Sequence, residues 1–507
     1  WQIDPKFKLT YGVRAELPMY HNKLIDNPAV SALDFNGYKM NLGEWPDSKV
    51  QINPRIGFNW DVKGDRSIQL RGGTGIFSGV LPFVWFTNQP TASGTVQSPE
   101  IGITGTNLPA DFRFNPDFKA QVAKYPSLFP STLSSTLASG AALAEVSKDF
   151  KMPQIWRSNL AGDFELPGNM ILTIEALYSK DINAIVQKNV NLPNAQNIFM
   201  GADGRPRWTN NKVNSKISSA MVLDNTNKGY QAFFTAQLIK NFEYGFSGML
   251  AYTYNVAKDV TSNPGSSANS AWTSNLDAFS LNHPALGYSS FSVPHRVVGS
   301  LSYRIEYARH LATTISVYYN GAASGRSSVA YSNDMNGDGS ASDLIYIPNN
   351  KNEINFVDVA GKMTAAQQAD KFMEYVKGDK YLSKHMGEYA GRFGYVNPWR
   401  NRWDVKILQD VFADFGTDRR YTLQVSLDIV NAANLLSKNW GLYKKSGLAN
   451  NYDVIMPLTY KGVNHMGQPT FTLNASDLAN FDAKNQLINQ VTTGSTWGMQ
   501  LGLRLLF

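Results

Sequence analysis

The chain lacks cysteine throughout its 507 residues, which excludes disulfide bonds, thiolate nucleophiles and cysteine-ligated metals. It is also poor in charge, because Asp, Glu, Lys and Arg make up 17% of it, against roughly a quarter in an average globular protein. No stretch approaches the ~20 consecutive apolar residues of a membrane-spanning helix, and the mean hydropathy is −0.29. These absences exclude a disulfide-stapled secreted domain and a helical membrane protein.

The net charge of the chain is small for its length. Lys and Arg number 47 against 40 Asp and Glu, and no basic block of the kind that binds nucleic acid occurs. Aromatic residues are abundant, at 12%, and this composition excludes disorder for most of the chain. The sequence begins at Trp1 with neither an initiator methionine nor a signal peptide, so we expect a processed protein or a piece of a longer polypeptide.

Apolar and polar residues alternate with a period of two in many segments, which is typical of strands with one apolar and one polar face. Between Val297 and Tyr307, for example, apolar residues alternate with Ser300, Ser302 and Arg304. A helix cannot use this pattern, because residues two apart lie on different faces of it. The alternation predicts twelve strands, at 6–19, 50–62, 67–79, 154–167, 170–183, 229–242, 245–259, 295–308, 311–325, 402–415, 421–434 and 495–507.

Each predicted strand exceeds the ~9–11 residues that a tilted strand needs to cross a bilayer. The connections alternate between short and long. The short ones are 63–66, 168–169, 243–244, 309–310 and 416–420. The long ones are 20–49, 80–153, 184–228, 260–294, 326–401 and 435–494. Short turns at one end and long loops at the other predict an all-β fold, a transmembrane antiparallel β-barrel with periplasmic turns and extracellular loops, in the outer membrane of a Gram-negative bacterium.

Three further features agree with a barrel. The last strand alternates from Trp497 and ends in Phe507, which resembles the signal that hands outer-membrane proteins to their assembly machinery. Aromatic residues near strand ends are predicted to form interfacial belts: Trp60, Trp156, Tyr178, Tyr252, Tyr254, Tyr303, Tyr319, Trp403 and Trp497. The predicted inward-facing charged residues are Arg14, Glu16, Arg71, Arg157, Glu165, Glu175, Arg304, Lys406 and Arg504.

The sharpest local motif lies in the 326–401 loop. Oxygen-bearing side chains at alternate positions with glycine sixth match the first half of an EF-hand-type calcium loop, which predicts a Ca²⁺ site. Its ligands would be Asp334, Asn336, Asp338, Ser340 and Asp343. Position twelve is Ile345 rather than glutamate, with Asp343 as the substitute, and no flanking helices are predicted. The alternative is a turn rich in Gly and Asp that binds no metal.

The sequence gives little support for a zinc site or for catalysis. None of the six histidines lies in an HExxH pattern or an i, i+4 pair, and no serine has a distinctive nucleophile context, so we expect no enzymatic activity. A helix is predicted at 364–390, either packed on neighbouring loops or acting as a lid over a ligand.

Six stretches resemble the C-terminal barrel half of TonB-dependent receptors of the Oar-like kind, known from Bacteroidetes and myxobacteria. They are Arg71–Phe77, Met152–Leu160, Tyr178–Asn183, Pro294–Val298, Asp334–Gly339 and Asn431–Leu436. The resemblance implies a 22-stranded barrel with an N-terminal plug, energised through TonB, of which residues 1–507 supply the last twelve strands. Neither a plug nor a TonB box is visible in the chain, which is the main departure from the family.

On this resemblance, the chain is part of an outer-membrane transporter whose partners are the membrane lipid, the plug and remaining strands of the same polypeptide, and TonB through the plug. The ligand, the direction of transport and the presence of a surface lipoprotein over the barrel stay open. Two other interpretations also stay open: an autonomous 12-stranded channel or lipid hydrolase, and an adhesive surface protein.

Overall fold

The computed structural model describes most of the chain. The described residues are 1–94, 108–126, 128, 137, 140–241, 245–414, 420–450, 452–474, 481 and 487–507. Two of the predicted short links, 243–244 and 416–420, therefore lie outside the described residues, apart from Arg420.

The described part of the chain is built mainly from strands. In chain order they are β1 (Gln2–Asp4), β2 (Phe7–Glu16), β3 (Gln51–Asp61), β4 (Ile68–Ser78), β5 (Ala141–Val146), β6 (Gln154–Leu166), β7 (Met170–Asn189), β8 (Asn197–Ile198), β9 (Pro206–Arg207), β10 (Ile217–Thr226), β11 (Tyr230–Asn241), β12 (Phe246–Asp259), β13 (Gly287–Tyr288), β14 (His295–Tyr307), β15 (Leu311–Ala323), β16 (Arg326–Tyr331), β17 (Asn355–Phe356), β18 (Tyr395–Val396), β19 (Trp399–Asp414), β20 (Arg420–Val430), β21 (Tyr443–Ser446), β22 (Val454–Val463), β23 (Pro469–Leu473), β24 (Leu487–Gln490) and β25 (Gly498–Leu506).

The α-helices of the described residues all lie in connections that join one long strand to the next along the chain. They are α1 (Pro28–Ser31), α2 (Phe83–Thr91), α3 (Phe118–Lys124), α4 (Ala268–Thr273), α5 (Ala365–Gly378) and α6 (Ala432–Leu436). In the described ranges, no helix combines the length and the apolar character needed to cross a bilayer.

Twelve long antiparallel strands form the main sheet, in the order β2-β3-β4-β6-β7-β11-β12-β14-β15-β19-β20-β25. All twelve were predicted from the alternation, and their ends agree with the prediction to within four residues except in β7. Strand β7 runs on to Asn189 because its far end pairs with β10. The prediction was also wrong beyond Val430, where Asn431 takes a left-handed conformation and α6 replaces the end of the strand.

The register places the two sets of alternating residues on opposite faces of the sheet. Leu301 stands opposite Gly248 on one side and Val317 on the other, so the apolar residues of neighbouring strands share one face. Ser302 stands opposite Ser247 and Ser316 on the other face. The predicted belt residues that lie within the strands are on the apolar face, where the rings of Tyr319 and Trp403 contact each other with centroids 4.5 Å apart. This is the outward apolar, inward polar arrangement of a membrane barrel.

Short links join the strands at one end of the sheet. Between β14 and β15, Ala308 and Arg309 both have positive φ, of 52° and 61°, as a tight primed hairpin turn requires. The link between β6 and β7 is similarly short, with Gly168 and Asn169 at positive φ. All the long connections leave from the opposite end, so the predicted alternation of short and long connections is confirmed where the structure describes it.

The described strands do not close into a ring. Among the described residues, β25 pairs with β20 and with no second strand, and β2 is covered on its outer edge only by the three residues of β1. An unpaired backbone group in hydrocarbon costs several kcal/mol. The two edges are therefore the places where this sheet requires further pairing.

The outward face generates a test of the register. Leu301 is half exposed at the middle of β14, whereas Ser300 faces inward beside it. Replacement of an outward residue near the bilayer midplane by arginine costs roughly 2–4 kcal/mol of folding free energy. We expect Leu301→Arg to lower the folded fraction in urea titrations in lipid vesicles, and Ser300→Arg to lower it far less. Equal losses would contradict the assigned faces.

The loop lengths generate a test of orientation. Pro167, at the short end, and Lys377, on α5 at the long end, are both exposed, and the chain has no native cysteine to interfere. On intact cells, an impermeant thiol reagent should label Lys377→Cys and leave Pro167→Cys unlabelled until the outer membrane is permeabilised. Labelling of Pro167→Cys alone would reverse the orientation.

Candidate functional site: the extracellular cap

The two longest C-terminal connections fold together over the long-loop end of the sheet. Strands β16, β17, β18, β22 and β23 form a separate five-stranded sheet, in the order β17-β23-β22-β16-β18, and α5 packs on it. We call these five strands and α5 the cap. Strand β16 pairs in parallel with β22, Ser328 opposite Val454, although the two lie far apart in sequence. The connections are therefore a folded body at the long-loop end of the sheet, which is the predicted extracellular side.

The cap has its own apolar core. Tyr331, Phe372, Ile455, Leu458 and Phe471 are each at most 2% exposed. Burial of such side chains stabilises by about 1.5–3 kcal/mol each, which is enough to order the long connections. The core therefore holds the residues around it in fixed positions.

Helix α5 is the predicted loop helix, and it is shorter than expected. It spans Ala365–Gly378 rather than 364–390, because the chain turns away after Gly378 and forms a separate 3₁₀ turn at Leu382–Lys384. Thr364 begins the helix with a capping box, in which its side chain and that of Gln367 each bind the other's backbone N–H. Phe372, Tyr375 and Val376 are buried in the cap core, so the helix packs on neighbouring loops, which is the first of the two sequence interpretations.

The predicted calcium loop is a compact turn beside the cap. Asp334 accepts hydrogen bonds from the backbone N–H groups of Gly337 and Gly339, at 2.7 and 2.9 Å. Asn336 accepts one from the N–H of Asp338 at 2.8 Å, and Asp338 one from that of Ser340 at 2.9 Å. Gly337 has φ +84°, and a Cβ there would meet the carbonyl oxygen of Trp208, so glycine is required.

The other two predicted ligands are engaged differently. Ser340 donates its hydroxyl to the carbonyl oxygen of Thr273 at 2.6 Å, so its side chain holds the loop to a neighbour. Asp343 accepts from the N–H of Met335 at 2.8 Å and lies 3.9 Å from Arg205. Within the described ranges, no three or more His, Asp or Glu side chains are grouped as a metal-binding set. The calcium site stays a prediction, which would depend also on amide and backbone oxygens.

The carboxyl groups of this loop are strongly affected by burial. Burial, together with the carboxylates of Asp343 and Asp334, raises the pKa of Asp338 to about 8. Burial likewise raises the pKa of Asp343 to about 7, although the Arg205 guanidinium opposes this. The loop therefore concentrates acidic groups where water does not screen them.

A buried arginine ties this loop to its surroundings. The Arg205 side chain is 0% exposed, and its Nε lies 2.8 Å from a carboxylate oxygen of Asp203. Its guanidinium faces the rings of Tyr331 and Tyr389, with centroids 5.2 and 5.1 Å from Cζ, and both tyrosines donate to Asp203. Removal of one partner from a buried ion pair leaves a buried charge uncompensated, at a cost of about 3–5 kcal/mol. Arg205 therefore joins the 184–228 connection to the cap.

A cavity of about 750 Å³ opens between the cap and the connection that follows β12. We call it the serine-rich cavity, because six serines line it: Ser262, Ser266, Ser270, Ser274, Ser290 and Ser342. Asn263, Arg326 and the exposed rings of Phe291 and Tyr452 also contribute to its wall. A concave site with many hydroxyl groups, an amide and aromatic surface is suited to a polar organic ligand.

The inward charges predicted from the sequence lie on the polar face of the main sheet, where several are paired. Arg304 lies 2.6 Å from Asp410, Lys406 3.0 Å from Asp428, and Arg71 3.5 Å from Asp163. Arg157 donates instead to Ser179 at 3.0 Å. Paired charges of this kind make the inner face of the sheet hydrophilic, and each pair adds little to the stability of the fold.

Sequence reasoning missed Arg205, Arg326 and the serine-rich cavity. An arginine in a long polar connection carries no signal that it will be buried, since burial follows from contacts with distant residues such as Tyr331 and Tyr389. The serines of the 260–294 connection were visible only as a polar composition, which is equally typical of an ordinary surface loop.

A comparison with protein-family models agrees with the architecture. A family model described as an outer membrane beta barrel domain matches residues 1–441. No curated protein sequence matches the chain.

Solved structures of outer-membrane proteins are similar over much of the chain. The outer membrane transporter YddB from Escherichia coli is 10% identical, with a TM-score of 0.37, over 84% of this chain and 39% of its own. The FrpB iron transporter from Neisseria meningitidis is 11% identical, with a TM-score of 0.38, over 85% and 40%. The siderophore receptor PirA from Acinetobacter baumannii is 9% identical, with a TM-score of 0.36, over 92% and 42%.

This chain thus spans about two fifths of the length of those proteins. The family match covers well over half of the chain, and it agrees with the spanning strands, the outward apolar face and the long loops at one end. The chain belongs to the outer membrane beta barrel domain family and is a protein of the Gram-negative outer membrane.

Proposed function

We propose that the chain is the C-terminal barrel wall and extracellular recognition surface of a TonB-dependent receptor of the Oar-like kind. The six stretches from Arg71–Phe77 to Asn431–Leu436 support the subfamily. The cap and its neighbouring connections would bind the transported ligand, and the chain would carry out no chemical reaction on it.

The observation that carries the proposal is the open sheet. Two strand edges, on β2 and β25, lack full pairing among the described residues, and such edges are not tolerated against lipid. Ten further strands of the same polypeptide would complete a 22-stranded barrel, which is the size of the plugged outer-membrane transporters.

The inner wall is suited to a plugged barrel. Its charged residues, including Glu165, Glu175 and Arg504, would contact a folded plug, and TonB would act on that plug from the periplasm. A surface lipoprotein above the cap would be an additional partner, and its presence is independent of the barrel proposal.

Two measurements on the purified full-length polypeptide test this function. In planar bilayers, a plugged receptor should show no steady conductance, and the immobilised periplasmic domain of TonB should retain it from detergent solution. A steady ion conductance without retention on TonB would instead identify an autonomous channel and overturn the proposal. Release of fatty acid from phospholipid vesicles would identify the lipid hydrolase.

We propose further that the turn from Asp334 to Asp343 binds Ca²⁺. Its oxygen-bearing residues alternate as calcium loops require. Burial first, and then the neighbouring carboxylates, raise the pKa values of Asp338 and Asp343, so the turn holds acidic groups close together. Bound calcium would favour the ionised carboxylates and fix the turn against the cap.

The calcium proposal predicts a metal-dependent loop. The double variant Asp334→Asn with Asp338→Asn should lose the calcium that metal analysis finds in the wild-type protein. It should also be cleaved by protease in the 326–401 connection as quickly as chelator-treated wild type. Asp370→Asn with Glu374→Asn, on the exposed face of α5, is the control of equal charge. Identical cleavage of the wild type with and without chelator would show that the motif is only a turn.

A further inference from the structure

Arg326, the first residue of β16, is a buried cation at the wall of the serine-rich cavity. The residue is only 7% exposed. Its guanidinium lies over the ring of Tyr288, with Cζ 3.7 Å from the centroid, and its Nη1 donates to the carbonyl oxygen of Phe393 at 3.1 Å. The position is fixed, because β16 is held between β18 and β22 in the cap sheet.

No carboxylate of the described residues is paired with Arg326. Burial lowers the pKa of the Arg326 guanidinium, and the groups that oppose this are the phenols of Tyr288, which also hydrogen-bonds to it, Tyr254 and Tyr381. Its Nε has no hydrogen-bond partner in the described part of the chain. Burial of a guanidinium without an anionic partner carries a large desolvation free energy, because buried charges are normally paired. A bound anion would offset this cost.

Two other buried arginines beside the cap differ in this respect. Arg205 is paired with Asp203, and Arg392 with Asp259 at 2.7 Å. Among the described lining residues there is one carboxylate, that of Asp453, and it is itself held in an ion pair by Lys445. Among the described residues that line the cavity, Arg326 is therefore the cation whose charge is left for a ligand.

A second unsatisfied group lies on the same wall. The side-chain carbonyl oxygen of Asn263 is buried and accepts no hydrogen bond from the described residues. It requires a donor, such as a hydroxyl or amine, whereas Arg326 requires an acceptor with negative charge. The serine hydroxyls of the wall can serve as donor or acceptor. Phe291 and Tyr452, each about 80% exposed, offer flat apolar surface at the opening.

We propose that the serine-rich cavity is a binding site for a hydroxylated organic anion, a sugar acid or a sugar phosphate. Arg326 binds the carboxylate or phosphate group, for which its planar set of donors is suited. Asn263 accepts from a ligand hydroxyl, and the serines bind the remaining hydroxyl groups. This inference rests on the proposed receptor function, because it names the class of ligand that the cap would recognise.

The test is equilibrium binding by purified full-length protein in detergent, measured by calorimetry with three ligands. Glucuronate and glucose 6-phosphate carry the two possible anionic groups, and glucose is the neutral control. We expect saturable binding of at least one anion and none of glucose. Arg326→Met should weaken binding by roughly 10- to 100-fold, the range expected for a charged hydrogen bond. The matched control is Arg207→Met, which removes an arginine stacked on Phe199 outside the cavity.

Three results would overturn the inference: binding of neither anion, equal binding of glucose, or an affinity unchanged in Arg326→Met. If Arg326→Met does not fold, Arg326→Lys and Asn263→Gly decide the matter. Both variants must weaken binding. Glycine introduces no backbone strain at position 263, because Asn263 already has a positive φ. Because no transport is measured, anion binding by a protein that forms an open channel would uphold this inference and overturn the receptor function. A plugged protein that is retained on TonB but binds neither anion would uphold the receptor function and overturn this inference.

Discussion

Every backbone N–H and C=O group in the hydrocarbon layer must find a partner within the protein, because lipid offers none. This constraint explains the twelve long antiparallel strands, whose ladders run from β2 to β25 without a break in neighbour order. It also explains the alternation in the sequence, since each strand presents one side chain to lipid and the next to the interior. The same constraint makes the two sheet edges the least complete part of the structure.

The extracellular side follows a different rule. Once the strands leave the membrane, water can satisfy backbone groups, and the connections are free to fold as a soluble protein does. The cap uses that freedom to bury Phe372, Ile455 and Phe471 in a core of its own. Fixed by this core, Arg326 holds a buried charge and Asp343 a buried carboxyl group, both of which an isolated flexible loop would leave in water. Ligand recognition is therefore proposed for the cap, and wall formation for the strands.

The sequence predicted the membrane part well and the cap poorly, for a physical reason. Lipid and water act on a spanning strand residue by residue, so the pattern around Leu301 and Ser302 is readable locally. The cap depends on pairs such as Ser328 with Val454, and Arg205 with Asp343, which are distant in sequence. The local pattern predicted helix α5 but not its end, because Asp379 is extended and its carboxylate accepts from the N–H groups of Tyr381 and Leu382. The calcium loop was read as a motif, and neither its contacts with Trp208 nor those with Thr273 were visible in advance.

The central claim is that β2 and β25 are not neighbours in the assembled protein. Both strands offer outward, exposed positions for spin labels, Val13 at 71% and Leu503 at 73% exposure. In a barrel of 22 strands these positions lie on opposite sides, and strand spacing and tilt give a diameter of roughly 40 Å. A pulsed electron paramagnetic resonance measurement on full-length protein carrying labels at Val13→Cys and Leu503→Cys should therefore give a long distance, of about that diameter or more. A short distance, as expected for strands whose backbones are about 5 Å apart, would show that the twelve strands close on themselves and would contradict the account.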